Sequence, residues 1–369
     1  MKVLMINSVC GIRSTGRICT DLAEKLSKEG QEVKIAYGRE AYVPEQYRKY
    51  AVRIGNSWDV RFHALKARLF DASGFGSKRA TRKFIAWVKE FDPDVIHLHN
   101  LHGYYINIEI LFNYLRTCNK KIIWTLHDCW AFTGHCCHFS YIKCEKWKTQ
   151  CYRCEQIHQY PRSIVIDKSR GNYLKKKELF SGIKDLTIIT PSIWLANLVK
   201  QSFLYEYQIE VRYNEVNKEI FKPTPSEFRK EYGINDDRKM ILGVASNWNE
   251  RKGLNDFIRL SELLGKEYII VLVGLNKKQM RLVPGSIVGI ERTNSQRDLA
   301  KIYSAADVFV NLSVEETFGL ATVEAISCGT PAIVYKNTGN EEIAKEYGGI
   351  CVEYGLKNII GAIKSVKYE

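Results

Sequence analysis

The sequence predicts an α/β protein built as two doubly wound domains, each a parallel sheet covered by helices. Its 369 residues and 42.6 kDa exceed what one hydrophobic core usually organises. Short apolar runs of strand length alternate with amphipathic helical segments along the chain, and the alternation starts afresh after a change in charge balance near residue 212. With 45% hydrophobic and 26% charged residues and only 8 Pro, the composition excludes a disordered or collagenous chain. The longest apolar runs, such as YIIVLVGL at 268–275, are far shorter than the ~18–20 residues of a bilayer span.

The elements follow in order. MKVLMINSVCG lacks a full signal-peptide core and reads as a buried edge-to-helix strand, which makes a cytoplasmic protein the expectation. The helix behind it starts near Ser14, carries Ile18, Leu22 and Leu26 on one face, and stops at Gly30. EVKIAYG alternates Val33, Ile35 and Tyr37 as the next strand; DVIHLHN, KIIWTLHD and LTIITPS are further strands, separated by helices such as TRKFIAWVKEF and IEILFNYLRTC. A segment from about 209 to 226 with two prolines marks the boundary, dividing the chain into 1–212 and 213–369. The second series is KMILGVAS, LNDFIRLSELLGK, YIIVLVG, SIVGIE, QRDLAKIYSAA, DVFVNLS, GLATVEAISCG and PAIVYK. In such sheets ligands bind at the carboxyl ends of strands where the winding reverses.

Charge separates the two parts. Residues 1–212 hold 34 Lys+Arg against 20 Asp+Glu, residues 213–369 hold 21 against 21, so the whole net charge of +14 lies in the first part. All eight His, from His63 to His158, lie there too. Such a surface suits an anionic partner: lipid headgroups, a phosphorylated acceptor or nucleic acid.

The most informative stretch is DVFVNLSVEETFGLATVEAISCGTP at 307–331. A strand ends at Ser313, an acidic loop follows, and Gly319 opens a helix whose first-turn amides suit an anionic or polar ligand. Glu316 precedes that helix and Glu324 lies two turns along it, so both carboxylates are candidates to face one ligand. The arrangement of Glu316, Phe318-Gly319-Leu320, Glu324-Ala325 and Cys328-Gly329-Thr330-Pro331 resembles the donor-binding signature of family 4 glycosyltransferases. The resemblance implies the GT-B fold, two Rossmann-like domains facing across a cleft, and transfer with retention of anomeric configuration. It also implies that Glu316 and the amides after it hold the donor sugar, while Glu324 accepts hydrogen bonds from the nucleotide's ribose hydroxyls; a carboxylate suits a vicinal diol because it has two acceptor oxygens.

NERKGLNDFI resembles the family loop whose Lys contacts the donor diphosphate, and Lys252 matches that position. The family's Arg six residues earlier is replaced here by Ser246, which makes Arg251 the candidate substitute. NSVCGIRSTGRI is rich in small residues around Gly11 and Gly16 but holds no GxGxxG, so hydride chemistry loses its main support. STGRI, HLHNLHGYY, TLHDCWAFTGHC and SIWLANLVKQSF resemble a bacterial subgroup that builds capsular, exopolysaccharide or colanic-acid-type glycans. On that resemblance Gly16 and Arg17 approach the diphosphate, and His127, after the fourth strand, contacts the donor sugar. His99, Asn100 and Tyr104 are the acceptor candidates at another strand end; metal binding by the HxH of His97 and His99 is disfavoured, since the family needs no catalytic metal.

Eleven Cys in a large, cytosolic-looking chain argue for metal binding or burial rather than a disulfide scaffold. Within the insertion at about 129–160, Cys136 or Cys137 with Cys144, Cys151 and Cys154 have spacing suited to a structural tetrahedral zinc, with His135 and His138 in reserve. The other reading is a set of buried thiols. The basic, aromatic stretch RFHALKARLFDASGFGSKRATRKFIAWVKEF reads as a pair of amphipathic helices covering the sheet, as a peripheral surface at the inner face of an anionic membrane, or as both.

The expectation is therefore a retaining glycosyltransferase that uses a nucleotide-diphosphate sugar, without a catalytic cofactor, and acts on a glycan or lipid-diphosphate-linked acceptor of a surface polysaccharide. The rivals are a nucleotide-sugar epimerase of the same architecture and a nucleic-acid- and zinc-binding protein; no nucleic-acid-binding helix pattern accompanies the charge. Two features depart from the family: NEVN at 214–217 replaces NGID before the linker, and the chain reads as lacking a long return helix after GGICVEYGLKNIIGAIKSVKYE.

Overall fold

The computed structural model describes residues 1–336 and 338–366. The expected absence of a long return helix bears on the chain end, of which 367–369 lie outside the described residues. The chain divides into two compact units after Tyr213.

The first unit holds strands β1 (Lys2–Ile6), β2 (Glu32–Tyr37), β3 (Ala51–Arg53), β4 (Val95–Leu98), β5 (Lys121–Thr125), β6 (Leu186–Thr190) and β7 (Gln208–Val211). Its α-helices are α1 (Arg13–Lys28), α2 (Ser57–Phe70), α3 (Lys78–Phe91), α4 (Ile108–Leu115), α5 (Ser169–Phe180) and α6 (Ile193–Lys200). The sheet order is β3-β2-β1-β4-β5-β6-β7, parallel throughout. Side chains alternate across β1: Leu4 and Ile6 join the core with Trp124, Phe112 and Phe180, while Val3 and Met5 join Cys19, Val33 and Ile35 on the other face.

Three readings need correcting. β1 lies inside the sheet between β2 and β4, not at an edge. The three-residue β3, too short and too exposed to leave a periodic signal, makes His127 follow the fifth strand rather than the fourth. β7, a half-exposed edge strand, occupies the start of the segment read as linker. The basic stretch is also only half as expected. α3 buries Phe84, Ile85 and Val88 against the core, but α2 buries little more than His63 and Ala67 and leaves its large apolar side chains outside.

The second unit holds β8 (Lys239–Val244), β9 (Tyr268–Val273), β10 (Ile287–Ile290), β11 (Val308–Asn311), β12 (Ala332–Tyr335) and β13 (Ile350–Val352). Its helices are α7 (Phe228–Glu231), α8 (Leu254–Leu263), α9 (Lys277–Met280), α10 (Gln296–Ala305), α11 (Leu320–Ser327), α12 (Gly339–Glu346) and α13 (Leu356–Ser365). The order β10-β9-β8-β11-β12-β13 is again parallel. Met240 and Leu242 face one core and Ile241 the other, so this sheet too is covered on both sides. The winding reverses between β1 and β4 in the first sheet and between β8 and β11 in the second, and at such points the loops part to leave a crevice. No helix among the described residues is long and apolar enough to cross a membrane.

Candidate functional site

In the second unit, candidate residues gather where β8 and β11 end. A single 3-10 turn, Glu250–Lys252, follows β8; Asn249 caps it, its side-chain oxygen accepting from the Lys252 N–H at 3.0 Å. The turn is stitched to the loop after β11 by the Val314 N–H, which donates to the Arg251 carbonyl at 3.0 Å. The two basic side chains consequently enter the same corner. The Lys252 ammonium pairs with the Glu316 carboxylate. Arg251 donates to the Glu315 carbonyl and stands 4.0 Å from Glu316 Oε2. Ser246 is exposed, so the guanidinium of this corner is that of Arg251. Burial lowers the Lys252 ammonium below the ordinary lysine value, against the pull of Glu316.

Glu316 is held from behind by its own backbone, whose N–H donates to Thr338 Oγ1 at 3.1 Å. Phe318 is buried, and Gly319 caps α11 at φ 92, where a Cβ would lie 2.0 Å from Asn340 Oδ1. Leu320 is the first helical residue. The first-turn amides of α11 therefore start at Gly319, next to the Lys252 and Glu316 pair in the chain's path. Glu324 keeps different company: buried on α11, its Oε2 accepts from the Tyr303 hydroxyl of α10 at 3.0 Å.

In the first unit, candidate residues gather where β1, β4 and β5 end. Asn7, fully buried, donates to the Val9 carbonyl at 2.8 Å and accepts from the Asn100 N–H at 3.3 Å, so one side chain ties the β1–α1 loop to the end of β4. Within that loop the Gly11 N–H donates to the Gly16 carbonyl at 3.2 Å, and a Cβ at Gly16 would crowd Val9 Cγ2 at 3.0 Å. Arg17 is half-buried on the first turns of α1, close enough to Asp21 to act on its charge.

The histidines form a stack that the sequence does not announce. His97 and His99 lie 4.2 Å apart by ring centroid, and His99 and His127 5.3 Å, nearly parallel. His99 Nδ1 and His127 Nε2 share a hydrogen bond of 3.0 Å, and His97 Nε2 shares one of 2.8 Å with Thr125 Oγ1. Burial pushes His127 down to about 4 and His97 to about 3, so the stack is neutral at pH 7. The backbone beneath is pinned: Trp124 Nε1 donates to the His99 carbonyl at 3.2 Å and the Tyr105 hydroxyl to that of Asn100 at 2.8 Å. The structure thus joins His99 to His127 and leaves Asn100 half-buried beside them, while Tyr104 packs elsewhere, between the rings of His63 and Tyr160.

Sequence reasoning missed Asp128. His102 Nε2 donates to its Oδ2 at 2.8 Å, and the Trp130 N–H to Oδ1 at 2.9 Å; burial opposes the charge, but His102 keeps the carboxyl well below the usual range. Cys137 joins these two: the ligand atoms of His102, Asp128 and Cys137 lie within 4.8 Å of one another, and among the described residues no other set of three His, Cys, Asp or Glu converges this closely. These residues make a buried group able to coordinate a metal ion. The four thiols picked by spacing are not drawn together to that degree, although Cys136 and Cys154 share a hydrogen bond that brings Cys154 down to about 7. Reserve ligand His135 donates from Nδ1 to buried Asp71 Oδ1 at 2.6 Å, and its Nε2 is buried without a partner.

Comparison with known proteins gives one consistent picture. The chain is 24% identical over 367 residues to a protein of Escherichia coli (strain K12) named for colanic acid biosynthesis, glycosyl transferase WcaC, covering 95% of this chain and 86% of that one. Among solved structures, sucrose-phosphate synthase from Thermosynechococcus elongatus superposes with a TM-score of 0.73 at 17% identity, over 98% of this chain and 88% of that chain. Anabaena HepE, solved in complex with UDP-glucose, gives 0.66 at 16% identity, over 99% and 90%. Residues 225–367 match the family model described as glycosyl transferases group 1, and residues 15–219, more than half of the chain, match that of Glycosyltransferase Family 4. Two parallel sheets with polar residues gathered at both winding reversals are the GT-B architecture, and the chain belongs to glycosyltransferase family 4.

Proposed function

We propose that the protein transfers a sugar from a nucleotide-diphosphate sugar to a hydroxyl of a growing, lipid-linked surface glycan, with retention at the anomeric carbon. The observation that carries this is the gathering of Lys252 and Arg251 on Glu316 beside the start of α11. Two cations and a helix terminus in one partly buried corner are what a departing diphosphate needs, because charge stabilisation is strongest where water is excluded.

In this reading the bond from the anomeric carbon to the diphosphate breaks with its electron pair leaving on phosphate, and the acceptor oxygen forms the new bond. Its proton passes to a phosphate oxygen of the leaving group. Lys252, Arg251, Arg17 and the amides near Gly16 and Phe318–Leu320 carry the diphosphate. Glu316 and His127 hold the donor sugar, Glu324 takes the ribose hydroxyls, and His99 and Asn100 face the acceptor; Tyr104, packed between His63 and Tyr160, takes no part. His127 is neutral near pH 7, which suits a hydrogen-bonding role towards sugar hydroxyls. That HepE was crystallised with UDP-glucose supports a nucleotide sugar as donor.

The test incubates purified protein with uridine and guanosine nucleotide sugars, with and without a lipid-linked acceptor. Acceptor-dependent release of nucleoside diphosphate and a product anomer matching the donor's is the expected outcome. A rearranged donor formed without acceptor makes the protein an epimerase, and an inverted product removes retention.

The same proposal gives the insertion a structural zinc on Cys136, Cys144, Cys151 and Cys154. Support comes from the Cys136 and Cys154 contact and from the Gly134 N–H, which donates to Cys151 Sγ at 3.3 Å and fixes that sulfur in the insertion. Elemental analysis should find one zinc per chain; no zinc, with all four Cys-to-Ser variants folded, removes it.

A further inference from the structure

At 3.6 residues per turn, Trp58, Phe62 and Leu65 of α2 share one face. A helix lying on a sheet would bury such a stripe. Here the three are 63%, 67% and 53% exposed, and Phe70 at the last turn is 43% exposed. A loop lies beside that turn. The Ile164 N–H donates to the Arg68 carbonyl at 2.7 Å and Ser163 Oγ to the same oxygen at 3.3 Å, which sets the exposed Ile164, Val165 and Ile166 next to the helix. Lys168 closes the join, its ammonium 5.7 Å from the centre of the Phe70 ring. Scattered exposed apolar residues are ordinary, but here the exposed stripe of α2 ends at a turn that the exposed loop adjoins.

The patch has a basic rim. A cavity of about 280 Å³ opens beside Phe62 and is lined by Lys66, Lys78 and Arg79. None of the three forms an ion pair among the described residues. Asp59 also lines the cavity, but its Oδ2 is engaged, accepting the Asn56 N–H at 2.9 Å in the capping box of α2. On the other side Arg61 lies 5.0 Å from the Trp58 ring. The floor is rigid: His63 Nε2 accepts from the N–H groups of Gly74 and Gly76 at 3.2 and 3.0 Å, and Nδ1 donates to Ser77 Oγ at 2.9 Å.

We propose that this face docks on the anionic leaflet of a phospholipid membrane, with Trp58, Phe62, Leu65 and the Ile164–Ile166 loop at the acyl boundary and Lys66, Lys78 and Arg79 on lipid phosphates. The charge decides the occupant. In a two-fold contact between copies the same rim would meet itself, cation against cation, whereas an anionic leaflet complements rim and stripe together. The inference deepens the lipid-linked acceptor of the transferase reading by naming the surface that meets the lipid. Its test contains no sugar, so the two stand or fall separately.

The full chain is floated with phosphatidylcholine vesicles, with and without phosphatidylglycerol, at low and high salt. Binding should favour the anionic vesicles by more than about tenfold and weaken with salt. Trp58→Ser with Phe62→Ser and Leu65→Ser should reduce it about tenfold or more without lowering the melting temperature, since all three side chains face solvent. Should that variant melt early, Val165→Ser, on a residue 69% exposed, carries the same test with a smaller loss. Lys66→Ala with Lys78→Ala and Arg79→Ala should abolish the preference for anionic lipid. Equal binding to neutral vesicles, or wild-type binding by the helix and loop variants, overturns the proposal. So does a concentration-dependent dimer, lost in those variants, from a protein that ignores vesicles; that outcome assigns the face to a second copy.

Discussion

Glu324 offers two readings that a pair of substitutions separates. Its carboxylate accepts from the buried Tyr303 hydroxyl at 3.0 Å, so it could serve only the α10 and α11 packing, or it could also take the ribose hydroxyls of a donor. Hydrogen bonds to a charged group contribute about 1.5–3 kcal/mol each. Glu324→Gln keeps one acceptor oxygen, which can still receive Tyr303, but replaces the second with a donor and removes the charge. About 2–3 kcal/mol of donor affinity should be lost, a factor of about 30–150 in Kd. Glu324→Ala also removes the acceptor of the buried Tyr303 hydroxyl's 3.0 Å hydrogen bond, at a cost of about 1–3 kcal/mol in stability, or several degrees of melting temperature for a unit this size. Tyr303→Phe is the control: it removes the internal partner and should leave the donor Kd within about threefold of wild type, since the hydroxyl it removes is not one that meets the ligand. The assay is calorimetric titration with the nucleotide sugar selected from the panel, alongside a melting curve for each variant. If Glu324→Gln binds donor as tightly as wild type, the carboxylate is a packing residue and the donor assignment of α11 falls with it.

Three further outcomes follow from the geometry. Lys252→Met should lower kcat by about 10²–10³, the usual effect of removing one preorganised charge-stabilising group, and steady-state rates at saturating donor within threefold of wild type would exclude Lys252 from the reaction. Gly319→Ala places a Cβ 2.0 Å from Asn340 Oδ1 at φ 92 and should cost about 1–3 kcal/mol in the second unit, read as a lower urea midpoint; an unchanged midpoint would mean that the cap is not strained. Burial brings His63 down to about 4, below its unfolded value of about 6.5. Between these values the unfolded chain binds the extra proton, so stability is full above pH 6.5 and falls as the pH drops towards 4. At pH 5 the loss is about 2 kcal/mol from this residue, with His97 and His127 adding in the same direction. His63→Gln should flatten the change in unfolding free energy between pH 7 and 5 by about that amount, and an unaltered slope would show that His63 is not held neutral.

The sequence by itself determined the two parallel sheets, because a strand covered on both faces must be apolar throughout and a helix on a sheet must repeat its apolar residues at 3.6. It also singled out candidate loops: Lys252, Glu316 and Gly319 stand out by charge and conformation next to strand ends. What it could not supply was the partner of each side chain. That Arg251 turns to the Glu315 carbonyl, that Glu324 meets Tyr303, that His97, His99 and His127 stack across two strands, and that Asp128 belongs to His102 all depend on register between segments far apart in the chain. Short edge strands such as β3 and β7 were illegible for a related reason: half-exposed, they need no apolar pattern of their own and exist because a neighbour offers them backbone hydrogen bonds. The face of α2 shows the limit most plainly. Periodicity reveals a stripe of Trp58, Phe62 and Leu65, but only the tertiary structure shows that this stripe points away from the core, because whether an apolar face is covered is a property of what packs against it and not of the helix that bears it.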